Sequence, residues 1–461
     1  MNAEWVARSL ARPRPSGATA RIEFSRVGTD SRAVRPGELF VALRGDRFDG
    51  NAFIDEAISR GATGVVCSTG RALERPGAAF FEVADTLLAL GEIARAHRRN
   101  FDVPVVAITG SNGKTTTKNL LRSVLVAAFG EPSRVLATEG NLNNLIGMPL
   151  TLLTLAENHR AAILEMGMNA FGEIARLTEI AEPTHGLITC VAPAHLEGLG
   201  SIEGVARAKG ELFRGLGPVA TAIVNRDDPH ISAQAVGLGC RMLAFGSGTD
   251  VRAESVRALD LEGMSFELHT PNGVDRVTLP LVGRHNVANA VAAAAAAVAL
   301  GVARDAIVRG LETAVAAPMR LTVERLANGV RLVNDAYNAN PGSMRAAIAA
   351  LEPVGSSSLV VLGDMLELGA DSPALHAEIG ATAARIRPRL LCAVGPFAEH
   401  YVRGAGTVGV LPDRVCAART HEEAAEAVAR AWREGDTVLV KGSRGARMEE
   451  VVVALRRLAK P

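Results

Sequence analysis

The sequence predicts an α/β protein of three successive domains, and three observations support this prediction. The chain has 461 residues, of which 48% are hydrophobic and 21% charged, and this length suits about two to four domains with buried cores. Short apolar runs alternate with amphipathic stretches, as they do where helices join parallel strands. Helix-breaking sequence near residues 100 and 318 divides the chain into domains at 1–100, 101–317 and 318–461.

Residues 1–100 are predicted to form a small α/β domain that ends in a connecting helix. Strand-like runs at 38–43 and 64–67 flank a helical stretch at 52–60. The helical pattern from Thr86 to Arg99 stops before Pro104, since the residue before a proline avoids helical backbone. An apolar run starts directly after this break and begins the second domain.

Residues 101–317 are predicted to form a central, mainly parallel, doubly wound sheet. The predicted strands lie at 105–109, 161–165, 186–191 and 220–225, with amphipathic helical stretches between them. Strand-like alternation continues through 250–282. An alanine-rich helix then follows from Asn286 to Leu300, and Gly301 stops it.

Residues 318–461 are predicted to form a second large α/β unit. Strands are predicted at 331–334, 358–362, 390–394 and 437–440, separated by helical stretches. This alternation is typical of a C-terminal Rossmann-like domain.

Charge and composition argue against several classes of function. Fifty basic and 49 acidic residues leave a net charge of +1, so no overall field attracts nucleic acid or an anionic membrane surface. The longest strongly apolar tract, 290–300, has eleven residues, whereas a membrane span needs about 20. The N-terminal residues show no basic region that leads into an apolar run, so we expect no secretion signal. The five cysteines form no CxxC pair. We expect a cytoplasmic protein with buried thiols and without a nucleic-acid partner or membrane span.

The clearest motif is VVAITGSNGKTTT at 105–117, where a buried strand enters a glycine-containing turn and leaves as a helix. Such a turn directs backbone N–H groups and the positive helix end toward phosphate oxygens. Lys114 would neutralise the β and γ phosphates of a bound nucleotide, and the Thr115 hydroxyl would reach Mg²⁺. Two residues separate Gly110 from Gly113, whereas four separate the glycines of the common P-loop. The alternative interpretation is an ordinary strand-to-helix turn that binds no phosphate. The predicted loop residues are Gly110, Ser111, Asn112, Gly113, Lys114, Thr115 and Thr116.

Two polar residues follow the next strands of the central sheet. Glu165 ends the run AAILE, and His195 follows the run ITCVAPA. Ligands of doubly wound sheets bind outside the carboxyl ends of the strands, so both side chains should face the phosphate loop, and either could bind metal. A capping carboxylate and an ordinary loop histidine are the alternatives.

Lysine is rare in this chain. It accounts for five of the 50 basic residues, so the other 45 are arginine. Lys209 lies on a predicted helix that follows the strand before His195. A lysine kept at this position suggests a need for a compact ammonium or a deprotonatable amine. A solvated helix charge is the alternative.

Two further groups are more polar than folding alone requires. Asn286 and Asn289 lie three residues apart and share a helix face. The segment at 333–342 places an acid, three asparagines and one of the two tyrosines in a loop after a strand. Such a loop could hold a ribose, a base edge and a stacking face, although caps and turns use the same residues.

Together these motifs resemble those of the Mur ligases, the ATP-dependent amide ligases of cytoplasmic peptidoglycan synthesis. The resemblance extends over essentially the whole chain and includes TDSR at 29–32, PGELFVALRG at 36–45, NLNNLIGMP at 141–149 and VKGSR at 440–444. Within the family, NDAYNANP at 334–341 is typical of the ligase that adds D-alanyl-D-alanine. The motifs expected of the ligase that adds the third residue are absent from the sequence.

The resemblance implies the substrates UDP-N-acetylmuramoyl-tripeptide and D-alanyl-D-alanine, with ATP and Mg²⁺ as cofactors and an acyl phosphate as intermediate. It also implies a monomer with a small UDP-binding first domain, and an N6-carboxylated Lys209. The implied catalytic residues are Lys114, Glu165, His195 and Lys209. The implied metal ligands are Thr115, Glu165, His195 and Lys209.

The resemblance further implies the binding residues. Asn286 and Asn289 would meet adenine, Arg320 would reach the phosphates, and Asp335 and Tyr337 would close over the nucleoside. The residues implied for the UDP end are Ser31, Arg32, Gly45, Arg47 and Phe48. Those implied for the sugar and peptide are Asn141, Asn143 and Asn144.

Two alternatives remain at this point. A folylpolyglutamate synthase shares the loop pattern and reaction type, but the UDP-type first domain and the motif at 141–149 argue against it. A nucleotide-dependent binding module would need the loop but not Lys209, Glu165 and His195 together. The sequence identifies neither the third residue of the tripeptide, diaminopimelate or lysine, nor the general base for the incoming amine.

Overall fold

The computed structural model describes residues 1–12, 17–45, 48–72, 77–193, 196–409 and 411–460. Strands in these ranges form four sheets that follow one another along the chain. Two of the sheets are wholly parallel and lie in the first and second parts of the chain. The predicted α/β class is therefore confirmed.

The first sheet has parallel strands in sequence order. Its strands are β1 (Val27–Gly28), β2 (Leu39–Val41), β3 (Gly64–Ser68) and β4 (Ala79–Val83). The helices of this part are α1 (Ala3–Ser9), α2 (Ile54–Ser59) and α3 (Thr86–Arg98). The predicted runs at 38–43 and 64–67 correspond to β2 and β3, and α3 ends one residue earlier than predicted.

The central sheet is parallel throughout, with the order β10-β9-β8-β5-β7-β6. Its strands are β5 (Val105–Thr109), β6 (Val135–Ala137), β7 (Ala161–Glu165), β8 (His185–Ile188), β9 (Thr221–Asn225) and β10 (Arg241–Phe245). Its helices are α4 (Lys114–Phe129), α5 (Gly147–Leu152), α6 (Glu173–Ala181), α7 (Leu196–Leu199), α8 (Ile202–Arg214) and α9 (Pro229–Gln234). The chain reverses its direction across the sheet between β5 and β8, and ligands of such sheets bind at that point.

A small antiparallel sheet and two helices complete the middle of the chain. The strands are β11 (Arg252–Ala258), β12 (Met264–Thr270) and β13 (Gly273–Leu279). The helices are α10 (Arg284–Ala299) and α11 (Arg304–Glu312), and both pack against α4. The alanine-rich helix thus begins two residues before its predicted start. Gly301 follows its last turn with a φ of +71°, which is the left-handed stop expected of glycine.

The last sheet has the order β14-β15-β19-β16-β17-β18, and only β14 runs antiparallel to its neighbour. Its strands are β14 (Thr322–Arg325), β15 (Arg331–Asp335), β16 (Ser358–Gly363), β17 (Leu390–Val394), β18 (Val415–Ala418) and β19 (Thr437–Lys441). Its helices are α12 (Pro341–Ala349), α13 (Ser372–Arg385), α14 (Ala398–Gly406), α15 (His421–Ala431) and α16 (Glu449–Leu458).

Separate hydrophobic clusters lie on the faces of these sheets. The predicted domain limits near residues 100 and 318 fall between one sheet and the next, and the limits themselves stay predictions. The expectation of buried thiols holds for Cys67 and Cys392, whereas Cys190, Cys240 and Cys416 are partly exposed. In the described ranges, we find no helix with the length and apolar character needed to span a membrane.

Candidate active site

The phosphate loop lies between β5 and α4, at the carboxyl end of the central strand. Gly110 and Gly113 have φ values of +150° and +83°, which residues with a Cβ rarely adopt. A Cβ on Gly110 would overlap the Thr189 hydroxyl, and one on Gly113 would overlap the Asn289 amide. Both glycines are therefore required by backbone conformation and by close packing, although their spacing is shorter than in the common P-loop.

Lys114 is the first residue of α4, and its ammonium is held by the loop itself. Its Nζ donates a hydrogen bond of 2.7 Å to the Gly110 carbonyl. Burial of the ammonium is the main cause that lowers the pKa of Lys114. The side chain lines a cavity of about 530 Å³ between the central sheet and the last sheet, so its charge is placed where phosphates would enter.

Glu165 ends β7 and is 3% exposed. Its Oε2 accepts a hydrogen bond from the Thr115 hydroxyl, and its Oε1 accepts one from Asn143 Nδ2, both at 2.9 Å. Its backbone N–H donates to the Thr138 hydroxyl at 2.9 Å. Lys118 Nζ lies 3.9 Å from Oε2 and donates to the Thr138 carbonyl. A buried carboxylate needs such partners, and together they fix its orientation toward the cavity.

Lys209 lies on α8, lines the same cavity and is 2% exposed. Its ammonium has no hydrogen-bond or ion-pair partner among the described residues. Burial first, and the nearby charge of Lys114 second, lower the pKa of Lys209 to about 7. A substantial fraction of this amine is therefore unprotonated near neutral pH.

Three of the four predicted metal ligands lie together in the structure. Thr115, Glu165 and Lys209 line one cavity, whereas His195 lies outside the described residues. No cluster of three or more histidine, cysteine, aspartate or glutamate side chains with metal-binding geometry occurs in the described part. The Thr115 and Glu165 oxygens are 2.9 Å apart, about the separation of neighbouring oxygens around octahedral Mg²⁺. These hard oxygen donors therefore fit Mg²⁺.

Asn286 and Asn289 lie in the first turns of α10 and share the face that lines the cavity. Asn286 Nδ2 donates to the Val282 carbonyl at 2.8 Å, and Asn289 Nδ2 donates to Asn286 Oδ1 at 3.0 Å. Both residues are buried. His285 also lines the cavity, and burial lowers its pKa. His285 was not among the predicted site residues.

The last domain contributes the opposite wall of the cavity. Arg320 Nη2 donates to the Thr115 hydroxyl at 3.1 Å, and the guanidinium lies 4.2 Å from the centroid of the Tyr337 ring. Asp335 Oδ2 forms a 2.5 Å ion pair with Lys441, which is 2% exposed. The structure thus brings the predicted third-domain residues to the phosphate loop. Lys441 was not predicted as a site residue. Because lysine is rare in this chain, its presence at this position was a signal that could have identified it.

The segment between β6 and α5 forms a third wall. Asn141, Asn143 and Asn144 all line the cavity, and Asn143 binds Glu165 as described above. Asn144 Oδ1 accepts hydrogen bonds from the backbone N–H groups of Ile146 and Gly147. Asn144 therefore has a local turn-forming role as well as a place in the cavity wall.

A second cavity, of about 500 Å³, lies between the first sheet and the central domain. The first part of the chain contributes Thr29, Asp30 and Ala33, and the segment after β6 contributes Glu139 and Leu142. The segment 139–144 therefore contributes some of its residues to one cavity and some to the other.

Of the first-domain residues implied for UDP, the four that the structure describes, Ser31, Arg32, Gly45 and Phe48, line neither cavity. Ser31 donates to Glu56, and Arg32 donates to Asp30. The Gly45 N–H donates to the Phe48 carbonyl, and the Phe48 side chain is exposed. Arg47 lies outside the described residues. The roles implied for these residues stay predictions. Asp30 and Ala33, which flank Ser31 and Arg32 in the sequence, line the second cavity.

The fold and the cavity define an α/β nucleotide-binding protein with a phosphate loop, and comparison with known proteins identifies its family. Three family models match the chain: the Mur ligase family catalytic domain at 23–98, the Mur ligase middle domain at 108–297, and the Mur ligase glutamate ligase domain at 319–444. The chain belongs to the Mur ligase family.

Individual relatives cover nearly the whole chain. It is 40% identical over 442 residues to the UDP-N-acetylmuramoyl-tripeptide–D-alanyl-D-alanine ligase of Escherichia coli, with 95% of each chain covered. A crystal structure of MurF from Acinetobacter baumannii has a TM-score of 0.89 and 35% identity, covering 99% of this chain and 98% of that one. The MurF ligase from Thermotoga maritima in complex with ADP has a TM-score of 0.83 and 29% identity, covering 94% and 97%.

Proposed function

We propose that the protein is an ATP-dependent ligase that joins D-alanyl-D-alanine to UDP-N-acetylmuramoyl-tripeptide through a C–N bond. The main support for this proposal is the cavity, which is lined by Lys114, Glu165 and Lys209 on one side and by Arg320 on the other. Full-length relatives named for this ligation support the choice of substrates. The same relatives argue against the two alternatives, a folylpolyglutamate synthase and a nucleotide-dependent binding module.

The reaction has two steps in this proposal. First, a terminal carboxylate oxygen of the tripeptide forms a bond to the γ phosphorus of ATP while the bond from that phosphorus to the bridging oxygen breaks, and ADP leaves. Second, the amine nitrogen of D-alanyl-D-alanine attacks the acyl carbon, phosphate leaves, and the nitrogen loses a proton. Two anions meet in the first step, so catalysis depends on charge neutralisation and positioning.

The cavity residues suit these requirements. Lys114 would lie against the β and γ phosphates, and Arg320, already 3.1 Å from the Thr115 hydroxyl, would contact them from the last domain. Thr115, Glu165 and Lys209, with the predicted ligand His195, would hold Mg²⁺. The bound ion would neutralise charge on the phosphate oxygens. Asn143 and Lys118 orient Glu165.

The nucleotide-linked substrate is proposed to span both cavities. Its UDP end would occupy the second cavity beside Asp30, and its peptide would pass residues 139–144 to reach the phosphate loop. This path is supported by the position of that segment, which contributes residues to both cavities.

Lys209 is proposed to be N6-carboxylated in the active enzyme. The neutral amine would attack the carbon of CO₂ and lose a proton, which gives a carbamate anion. The support is a buried amine without a described partner, beside Lys114, with a pKa lowered to about 7. The carbamate oxygens suit a hard cation that a lysine amine does not bind.

The assignment is tested by amide formation with purified protein, ATP, Mg²⁺ and D-alanyl-D-alanine, using the diaminopimelate and lysine forms of the nucleotide-tripeptide in parallel. Product mass and phosphate release are measured together. Phosphate release should require both the nucleotide-tripeptide and the dipeptide, because the acyl phosphate forms on one and is consumed by the other. Turnover with a folate substrate instead, or nucleotide binding without any turnover, would contradict the proposal.

Domain closure is a second prediction. Ligand contacts are proposed on both sides of the boundary near Pro318, so ATP and the nucleotide-tripeptide together should hold the last domain against the phosphate loop, in the docked arrangement that the Arg320–Thr115 hydrogen bond shows. Solution scattering should show a smaller radius of gyration with both ligands than with neither. An unchanged radius at saturation would argue against closure.

We also propose that the enzyme acts in the cytoplasm, which the family resemblance supports, and that it is a monomer. Sedimentation at several protein concentrations measures the second point directly.

A further inference from the structure

Two asparagines connect the phosphate loop to the last domain. Asn112 lies in the loop, and Asn340 lies 228 residues later, before α12. Asn112 Nδ2 donates to Asn340 Oδ1 at 3.2 Å, and Asn340 Nδ2 donates to Asn112 Oδ1 at 2.8 Å. Each amide therefore donates to and accepts from the other, and the two hydrogen bonds fix both distance and orientation.

Asn340 is held in place by the start of α12. Its Oδ1 also accepts from the Ser343 backbone N–H at 2.9 Å, and its own N–H donates to Ser343 Oγ at 3.0 Å. This is a capping box, with Pro341 in the first turn. An amide oxygen has two lone pairs, so Asn340 caps its helix and accepts from Asn112 at the same time. Its orientation is set within the last domain.

Asn112 is held by the central sheet and is continuous with the phosphate loop. Its carbonyl accepts a hydrogen bond of 2.5 Å from the Thr189 hydroxyl, after β8. The preceding Ser111 exchanges hydrogen bonds with Ala192, and the following Gly113 has left-handed backbone. A displacement of the Asn112 side chain would therefore be transmitted to the backbone N–H groups of the loop.

We propose that Asn112 and Asn340 form an interdomain amide lock, in which Asn340 is a positioning residue that fixes the phosphate loop when the last domain is docked. Asn340 acts through Asn112 and need not touch the nucleotide. The lock makes the geometry for phosphoryl transfer dependent on the arrangement of the two domains. This inference rests on the proposed function, because it assigns the loop to γ-phosphoryl transfer.

The variant Asn340→Ser separates the lock from helix capping. Serine caps a helix about as well as asparagine, but its hydroxyl cannot form the reciprocal amide pair. We expect an unchanged melting temperature and a kcat about tenfold lower, equivalent to about 1.4 kcal/mol. Asn112→Ala removes the other partner. Because the residues act as a pair, the double variant should lose much less than the product of the two single losses.

Asn328→Ser is the matched control, since Asn328 is a turn residue of the same domain whose side-chain oxygen accepts a hydrogen bond from the Val330 N–H. It should keep the wild-type kcat. Wild-type kcat in Asn340→Ser, or losses that multiply in the double variant, would overturn the lock. Failure of the wild-type protein to form the amide would overturn the proposed function, so the two failures are distinguishable in one assay.

A structural readout completes the experiment. The fall in radius of gyration on binding both ligands should be smaller in Asn340→Ser than in Asn328→Ser, since the docked arrangement loses both amide hydrogen bonds. Equal compaction in the two variants, combined with equal kcat, would assign Asn340 to helix capping alone.

Discussion

Lys114→Ala is expected to abolish ligation while leaving the fold intact. The Lys114 Nζ lies 2.7 Å from the Gly110 carbonyl oxygen, and the side chain lines the cavity. In the proposed role it would supply charge to the phosphates rather than apolar packing. Loss of a preorganised group of this kind typically costs about 10²–10³ in kcat. Phosphate release and product mass measure the loss, and thermal unfolding checks the fold.

A matched control is available because the chain has few lysines. Lys460 is exposed and follows the last helix, outside the cavity. Lys460→Ala should keep wild-type activity. If Lys114→Ala retained more than about a tenth of the wild-type rate, its transition-state effect would be below about 1.4 kcal/mol, and the assignment of Lys114 would be wrong.

Substitution of Lys209 should lower the rate of ligation about as much as substitution of Lys114, but the two losses should differ in whether an added carboxylate restores activity. Lys209→Ala should be inactive and should regain part of its activity with added formate or acetate, because a small carboxylate can take the place of the carbamate oxygens. Lys209→Arg should remain inactive, since a guanidinium keeps its positive charge and does not add CO₂ at neutral pH. An active Lys209→Arg enzyme would refute carboxylation.

Carboxylation also has a readout that does not depend on activity. With ¹³C-labelled CO₂, the wild-type protein should give a carbamate carbon signal that is absent from Lys209→Ala. Since the pKa of Lys209 is lowered to about 7, the neutral amine increases as the pH rises through 7, and the signal at constant dissolved CO₂ should increase from pH 6 to pH 8. A signal of equal strength in both proteins would assign the carbamate to another amine.

The interior of the fold was predictable from the sequence, and the sheet edges were not. Strands β5, β7 and β17 are buried along their whole length, so they read as continuous apolar runs. Strands β10 and β14 lie at sheet edges and expose much of their surface. Strand β14 (TVER) contains no continuous apolar run, and it was not predicted. Strand β10 (RMLAF) is largely apolar but exposed at its start, and it was not predicted either.

The candidate site shows a similar division. Residues within the phosphate loop and at strand ends could be predicted because local spacing brings them together. Lys441 and Asn340 were missed as site residues, since their roles depend on partners 106 and 228 residues away. For UDP, the resemblance implied a segment near the second cavity, but it could not indicate which side chains of that segment face the cavity.

The tight packing of the alanine-rich helix α10 predicts where temperature-sensitive mutations should occur. It packs against α4, the helix that begins at the phosphate loop, and residues 293–297 are fully buried. Each added methyl group at these positions must displace a neighbour, at a cost of about 1–3 kcal/mol. Where such a position faces α4, a larger side chain would shift α4 and weaken nucleotide binding from a distance. Temperature-sensitive alleles of the gene are therefore expected in a helix whose alanines touch no substrate.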